Sequence, residues 1–185
     1  TKMNDNFDLK NLKKKKAGRI NSGAKGRGFE RKICKILNER FKTKEFNRAP
    51  GSGAYATTHA IPDEYKIYGD IITPKNFKFC IECKKGYNGI KISDIFNKKS
   101  KLWDFIEQSE KDAKKSEKEP LIIFQQDRQN ILCIVKSCYG FGYLKEYTVI
   151  YPGDDTITNH SIHRGSYVLT KLETYLELND YYFLG

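Results

Sequence analysis

The chain has 185 residues, of which 38% are hydrophobic and 31% are charged, and its formal net charge is +11. These values are typical of one globular domain, and we expect no membrane span because no run of eighteen apolar residues occurs. Five cysteines without disulfide spacing and a polar start, Thr1 to Asn6, favour reduced thiols in a cytoplasmic compartment over secretion.

The positive charge is concentrated at the start of the chain. Residues 1–50 hold 16 Lys or Arg against 5 Asp or Glu, whereas residues 51–185 hold 18 of each. We interpret residues 1–24 as a flexible basic arm. Such a block favours a polyanion, most often nucleic acid, over an anionic membrane, because no apolar face accompanies the lysines. The alternative is a solubilising tail.

The chain order predicts a mixed α/β structure. Apolar residues such as Phe29, Ile33 and Leu37 recur at helical spacing, whereas β-rich runs flank a turn at 74–76. The predicted elements are a helix at 25–42, a glycine-rich loop at 48–54, strands at 70–73 and 77–84, a helix at 93–118 ended by Pro120, strands at 121–125 and 131–136, and a tail with short strands and a helical piece near 169–178. This order indicates layered helices and sheet rather than a doubly wound fold.

Asp70, Glu82 and Lys84 form the strongest chemical signal. Alternate residues of a strand share a face, so Glu82 and Lys84 point the same way. With the turn centred near residue 75, Asp70 lies opposite Cys80 and diagonal to Glu82. Diagonal neighbours are roughly 7–8 Å apart, within reach of a shared ion. Two carboxylates buried together need a cation, and hard oxygen ligands suit Mg²⁺.

This arrangement of two carboxylates and a lysine suits phosphodiester hydrolysis. A metal at Asp70 and Glu82 would polarise the phosphate and lower the pKa of a bound water. Lys84 can steer that water or stabilise the charge that develops on the phosphate. The alternative is an ordinary exposed hairpin face that carries charged residues.

The residues Gly69-Asp70-Ile71 and Ile81-Glu82-Cys83-Lys84 resemble the PD-(D/E)XK nuclease superfamily, with Gly69 in place of the family's proline. The runs KGRGFER at 25–31 and RAPGSG at 48–53 look like those of archaeal Holliday-junction resolvases and related phage nucleases. The resemblance covers residues 25 to about 136. It implies a restriction-endonuclease-like α/β core, a mixed β-sheet flanked by helices. The expected organisation is a single nuclease domain at 25–185, with its core motifs at 25–136 and a C-terminal extension at 139–185.

The resemblance also implies a metal site. Asp70, Glu82 and the backbone carbonyl of Cys83 would hold Mg²⁺, for which Mn²⁺ would substitute. Lys84 would aid the attacking water. Glu30 would complete the site, directly or through water.

Three further side chains are candidates by position. Glu30 borders the buried face of its helix, and the alternative to a site role is a surface ion pair with Arg27. Ser52 lies between two glycines, where backbone can approach a phosphate, or it serves only the turn. Gln108 is placed where many such nucleases carry a glutamine, at the edge of an apolar helix stripe.

We therefore predict a Mg²⁺-dependent, structure-selective DNA endonuclease, most similar to Holliday-junction resolvases. Its partner would be branched or four-way DNA, and the protein would form a homodimer. It would be located in the cytoplasm, or in the host cytoplasm if a phage encodes it. The alternatives are a restriction-like, repair or recombination nuclease on duplex or branched DNA, and a catalytically silent DNA-binding module. The expected phosphate contacts are Lys13, Lys14, Lys15, Lys16, Arg19, Lys25, Arg27, Arg31, Arg48 and Lys85.

Overall fold

The computed structural model describes residues 22–50, 67–91, 94, 100–137, 141–150 and 166–185. In chain order its elements are α1 (Ser22–Phe41), β1 (Asn47–Arg48), β2 (Ile71–Ile72), β3 (Phe79–Lys85), α2 (Lys101–Lys115), β4 (Glu119–Gln125), β5 (Leu132–Lys136), a 3-10 turn (Phe141–Tyr143), β6 (Thr148–Ile150), β7 (Tyr167–Lys171), α3 (Leu172–Leu176) and a second 3-10 turn (Asp180–Tyr182). None of the helices in these ranges is long and apolar enough to cross a membrane.

The seven strands form one sheet in the order β1-β2-β3-β4-β5-β7-β6. The β3–β4 pair is parallel, and the other neighbouring pairs are antiparallel. A parallel pair needs a crossover connection, and α2 lies in the chain between β3 and β4. The fold is therefore a mixed α/β sheet flanked by helices, as the sequence predicts.

Each face of the sheet carries its own apolar core. On one face, Phe29, Ile33 and Leu37 of α1 pack with β3 and β4 residues and with Tyr175 and Phe183 from the end of the chain. On the other face, α2 packs on those side chains of β4 and β5 that alternate with the ones in the first core. The residues of this second core are Leu102, Phe105, Ile106, Ile122, Ile134, Ile150, Tyr167 and Leu169. Glu82 is aligned with Ile122 and therefore faces α2.

Both predicted helices have bounds that differ from those in the structure. The first helix begins at Ser22, three residues before its predicted start. The second begins at Lys101, where the Ser100 side chain accepts a hydrogen bond from the Leu102 amide, and ends at Lys115. Pro120 does not end this helix, because it lies within β4. The chain leaves the helix instead at Glu117, which has a φ of +54°.

The predicted hairpin has the wrong register. Ile71 lies opposite Ile81, two residues away from the predicted alignment. The strand β2 is also shorter than predicted, and Phe77 leaves the hairpin to form a bridge with Leu184. A shift of two residues keeps every side chain on its face, so Asp70 still approaches Glu82.

The tail is also different from the prediction. Residues 169–171, predicted as part of a helix, belong to strand β7, which pairs with β5, and the helix α3 starts only at Leu172. The described part of the predicted extension thus contributes strands to the same sheet as the core motifs.

Candidate active site

Asp70 lies at the start of β2, where backbone contacts hold it against β3. Its amide donates to the Ile81 carbonyl at 2.8 Å, and its Oδ2 accepts from the Cys83 amide at 2.8 Å. Its carbonyl accepts from the Ala49 amide at 2.9 Å. The side chain is buried. The carboxylate of Asp70 is thus fixed beside the strand that carries Glu82.

Glu82, Lys84 and Gln108 form a closed hydrogen-bond network between β3 and α2. Lys84 Nζ lies 2.6 Å from Glu82 Oε1 and 2.9 Å from Gln108 Oε1. Gln108 Nε2 donates to Glu82 Oε1 at 3.0 Å. The Lys84 ammonium also lies 5.1 Å from the centre of the Phe105 ring. These contacts fix the lysine beside a buried carboxylate, which excludes the alternative of an exposed hairpin face.

Burial and the charge of Asp70 disfavour ionisation of Glu82 and Glu30. Burial, and then the charge of Asp70, raise the pKa of Glu82 from 4.5 to about 7, against the opposing effect of Lys84. The same two causes raise the pKa of Glu30, although Arg48 acts in the other direction. A divalent cation at this point would favour the ionised forms.

Glu30 reaches the site from α1. It is buried, and its Oε2 lies 3.3 Å from Arg48 Nη1 of β1. Its ion-pair partner is therefore Arg48 rather than Arg27, whose charge has only a smaller effect on the Glu30 pKa. Asp70 is electrostatically coupled to both Glu30 and Glu82, and so links the α1 side of the site to the α2 side.

Asp70 and Glu82 offer the donors that Mg²⁺ prefers, but they are not a complete ligand shell. Within the described ranges, no three His, Cys, Asp or Glu side chains are grouped so as to hold a metal ion. Two buried carboxylates with a raised Glu82 pKa fit a hard divalent cation. A backbone carbonyl, water and a substrate phosphate would supply the remaining ligands. The backbone amide of Cys83 already bonds Asp70.

Two comparisons with known proteins bear on this site. A family model described as "Phage putative PDDEXK endonuclease" matches residues 21–183. The chain belongs to this family. Protein D14 of Escherichia phage T5 is similar, with 30% identity over 123 residues that make up 64% of this chain and 72% of the phage protein. No solved structure matches the chain.

The match to the PDDEXK family spans all the site residues described above. It confirms the superfamily predicted from the sequence and the restriction-endonuclease-like α/β fold. It also places the chain in a family of endonucleases.

Three of the residues predicted to contact phosphate have partners within the protein, and one of them is Arg48, which pairs with Glu30. Lys25 Nζ lies 2.5 Å from Asp127 Oδ2. Lys85 Nζ donates to Gln125 Oε1 at 3.1 Å and lies 3.6 Å from Asp127 Oδ1. Both lysines thus tie α1 and β3 to the turn between β4 and β5.

The other predicted phosphate contacts divide into two groups. Arg27 and Arg31 are exposed on α1, and Arg31 lines an open groove together with Lys35 and Arg48. The remaining predicted residues lie outside the described ranges, and they are Lys13, Lys14, Lys15, Lys16, Arg19 and the glycine-loop candidate Ser52.

The sequence reasoning missed Asp112, a partly buried residue of α2. Burial and Asp70 raise the pKa of Asp112, whereas Lys115 and Lys84 lower it. The charge of Asp112 in turn raises the pKa of Glu82. A signal was available, because Asp112 follows Gln108 by four residues and so shares its helix face.

Proposed function

We propose that this protein is a divalent-metal-dependent endonuclease that cuts phosphodiester bonds in branched DNA, four-way junctions included. The observation that carries the proposal is the pair of buried carboxylates, Asp70 and Glu82, with Lys84 and Gln108 bonded to the second of them. Membership of the PDDEXK endonuclease family supports the reaction class.

Each site residue has a role in this proposal. Asp70, Glu82 and the carbonyl of Cys83 would hold Mg²⁺ or Mn²⁺, with Glu30 contributing through water. The ion would lower the pKa of a bound water and stabilise negative charge on the phosphate. Lys84 would orient the attacking water.

The other polar groups would position the lysine and the substrate. Gln108 would hold Lys84 in position, since its Oε1 lies 2.9 Å from Lys84 Nζ. Ser52 would contact the phosphate from the glycine-rich loop. Arg27, Arg31 and the basic arm would follow the DNA backbone, since such contacts set affinity without reading sequence.

The substrate preference and assembly are further parts of the proposal. A four-way junction needs two symmetric cuts, so we propose that two copies act together as a homodimer. Because the relative named above is a phage protein, we propose the host cytoplasm as the place of action.

The decisive experiment is cleavage of labelled four-way, flap, nicked and linear DNA of matched sequence, with Mg²⁺ or with EDTA. We expect the branched substrates to be cut faster than the linear duplex, and cleavage to occur with Mg²⁺ but not with EDTA. Glu82→Gln should lower the single-turnover cleavage rate by at least about 100-fold, because it removes one metal ligand. The matched control is Glu107→Gln on α2, which removes an exposed carboxylate paired with Lys111.

Three outcomes would contradict the proposal. Near-normal cleavage by Glu82→Gln would remove this carboxylate from the site. Equal cutting of linear and branched DNA would favour the restriction-like alternative. Tight DNA binding by a folded protein that cuts none of the substrates with Mg²⁺ or Mn²⁺ would favour the catalytically silent binding module.

A further inference from the structure

Tyr87 is an exposed aromatic side chain beside the candidate active site. It is 44% exposed, and its ring lies edge-to-face with Phe105, with the two ring centres 4.8 Å apart. The same Phe105 ring lies 5.1 Å from Lys84 Nζ. Tyr87 and Lys84, the lysine that the proposed reaction uses, therefore both lie against the same aromatic ring.

The backbone of Tyr87 is held in an unusual conformation. Its φ is +54°, in the left-handed region that bulky residues rarely adopt, and Gly86 before it has a φ of +97°. The Tyr87 carbonyl accepts hydrogen bonds from Gln126 Nε2 and from the Ile90 amide, each at 3.0 Å. Strain that is maintained by several contacts is typical of functional positions.

The loop of Tyr87 is fastened by other residues, so the tyrosine is not its anchor. Asn88 Nδ2 donates to Asp127 Oδ2 at 2.9 Å, and the Asp127 amide donates back to Asn88 Oδ1 at 2.9 Å. Lys25 of α1 pairs with the same Asp127, and Gln126 Nε2 contacts the Ile90 carbonyl at 2.5 Å. These bonds hold the loop that carries Tyr87 in place.

The exposed surface of the Tyr87 ring is where a ligand can bind. The hollow that this ring shares with Lys84 and Phe105 has a volume of about 10 Å³, which has room for no more than one water. Outside, the exposed Lys91 adds positive charge to the same loop. A flat ring with open surface, next to a site for a phosphate, suits the flat face of a nucleobase.

We propose that Tyr87 is a stacking platform for a nucleobase whose face is open, next to the phosphate that is cut. The inference rests on the proposed function and names the feature of the substrate that is recognised. In linear duplex DNA both faces of an internal base are covered by neighbouring bases. At a branch point, a flap or a fork, a base face is open and can lie on Tyr87.

The first test compares cleavage rates of a flap substrate and a linear duplex for four variants. Tyr87→Phe keeps the ring and should cut the flap at the wild-type rate. Tyr87→Leu should cut the flap at least tenfold more slowly and the linear duplex at an unchanged rate. Tyr87→Gly should give the same rates as Tyr87→Leu. It serves as the test if the Tyr87→Leu protein does not fold, because glycine adopts a positive φ without strain. The matched control is Tyr143→Leu, at an exposed tyrosine in the turn before β6.

The second test needs no cleavage. A flap that carries 2-aminopurine as the first unpaired base is mixed with each protein in EDTA, and the base fluorescence is read at saturation, which anisotropy establishes. Stacking should lower the fluorescence at least twofold with wild type, Tyr87→Phe and Tyr143→Leu, but not with Tyr87→Leu or Tyr87→Gly.

The two tests separate this inference from the proposed function. Equal fluorescence changes in all variants, or a parallel loss of flap and linear cutting, would overturn the stacking role. A wild-type protein that lowers the fluorescence through Tyr87 but cuts no DNA would overturn the nuclease proposal and leave the stacking role standing.

Discussion

Gly69 stands where the superfamily has a proline, and its backbone explains the difference. Its φ is +76°, which proline cannot adopt because its ring fixes φ near −65°. A Cβ at this position would lie 2.7 Å from the Ile81 carbonyl oxygen and 2.9 Å from Cys80 Sγ. Glycine thus lets the chain approach β3 closely enough for the next residue, Asp70, to bond it.

We predict that Gly69→Ala destabilises the protein by ~3 kcal/mol, since both strain and a clash with fixed backbone result. The control is Gly28→Ala on α1, where a Cβ meets no atom within 4 Å. That change should stabilise by about 0.5–1 kcal/mol, because alanine favours the helix. Urea unfolding measures both. A Gly69→Ala protein within about 1 kcal/mol of wild type would contradict the close approach described here.

The raised pKa of Glu82 predicts a pH dependence of stability. The unfolded carboxyl ionises near 4.5, whereas the folded one keeps its proton up to about 7. Between these values the folded state binds more protons, so the free energy of unfolding without divalent metal should fall as the pH rises, by up to ~3 kcal/mol. Mg²⁺ at about pH 8 should restore stability, because a cation favours the ionised form.

Urea unfolding at about pH 5.5 and about pH 8, with Mg²⁺ or EDTA, checks this prediction. Glu82→Gln is the internal control, since it removes the titrating group and should flatten the pH dependence while other groups titrate as before. A wild-type stability that is equal at both pH values in EDTA would show that Glu82 is already ionised in the folded protein.

Part of the candidate site follows from strand alternation alone. Glu82 and Lys84 had to share a face once 79–85 formed a strand, and Asp70 approaches them in any register shifted by two. The Arg48 contact with Glu30 and the influence of Asp112 were not predictable in this way. Both depend on how closely β1 and α2 approach the site, and local spacing carries no information about that.

At the scale of elements, long periodic segments were predictable and short ones were not. The apolar period of α1 and the β-rich runs of β4 and β5 each gave an element close to its observed bounds. The two-residue strand β2 depends on Gly69 and on a bridge between Phe77 and Leu184, so its register could not be derived from the turn.

The end of the chain shows a second limit. Residues 167–171 and 172–176 are continuous in the sequence, and the apolar pattern across them allows both strand and helix. Pairing with β5 decides for a strand in the first half, and packing of Tyr175 into the α1-side core decides for a helix in the second. Tertiary contacts therefore overrode a local preference that was ambiguous.

At the scale of the whole molecule, we predict that the basic arm and the site have separate roles. Deletion of residues 1–19 removes seven basic groups against two acidic ones and leaves α1, which begins at Ser22, complete. If the arm contacts phosphates, DNA affinity should fall, and the log–log salt slope should decrease by roughly 0.9 per lost contact. Preference among DNA structures and cutting at saturating protein should persist, because the proposed site lies after the arm.

Binding titrations across a salt series, with single-turnover cleavage at low salt, compare the full and shortened chains. An unchanged salt slope would show that the lysines do not contact DNA. A loss of cutting at saturation would show that the arm helps to build the site.

The parallel pairing of β3 with β4 also has a consequence for the order of folding. The β4 and β5 strands are joined by a short turn, so they close a small loop when they pair. The β3 strand can pair with β4 only when the long connection that contains α2 crosses over the sheet. Closing this longer loop costs more chain entropy than closing the β4–β5 turn. We expect the β4–β5 hairpin to form early and β3 to dock late. The strand that carries Glu82 and Lys84 would then gain protection against amide exchange later than β4 and β5 during refolding, which pulsed hydrogen exchange measures.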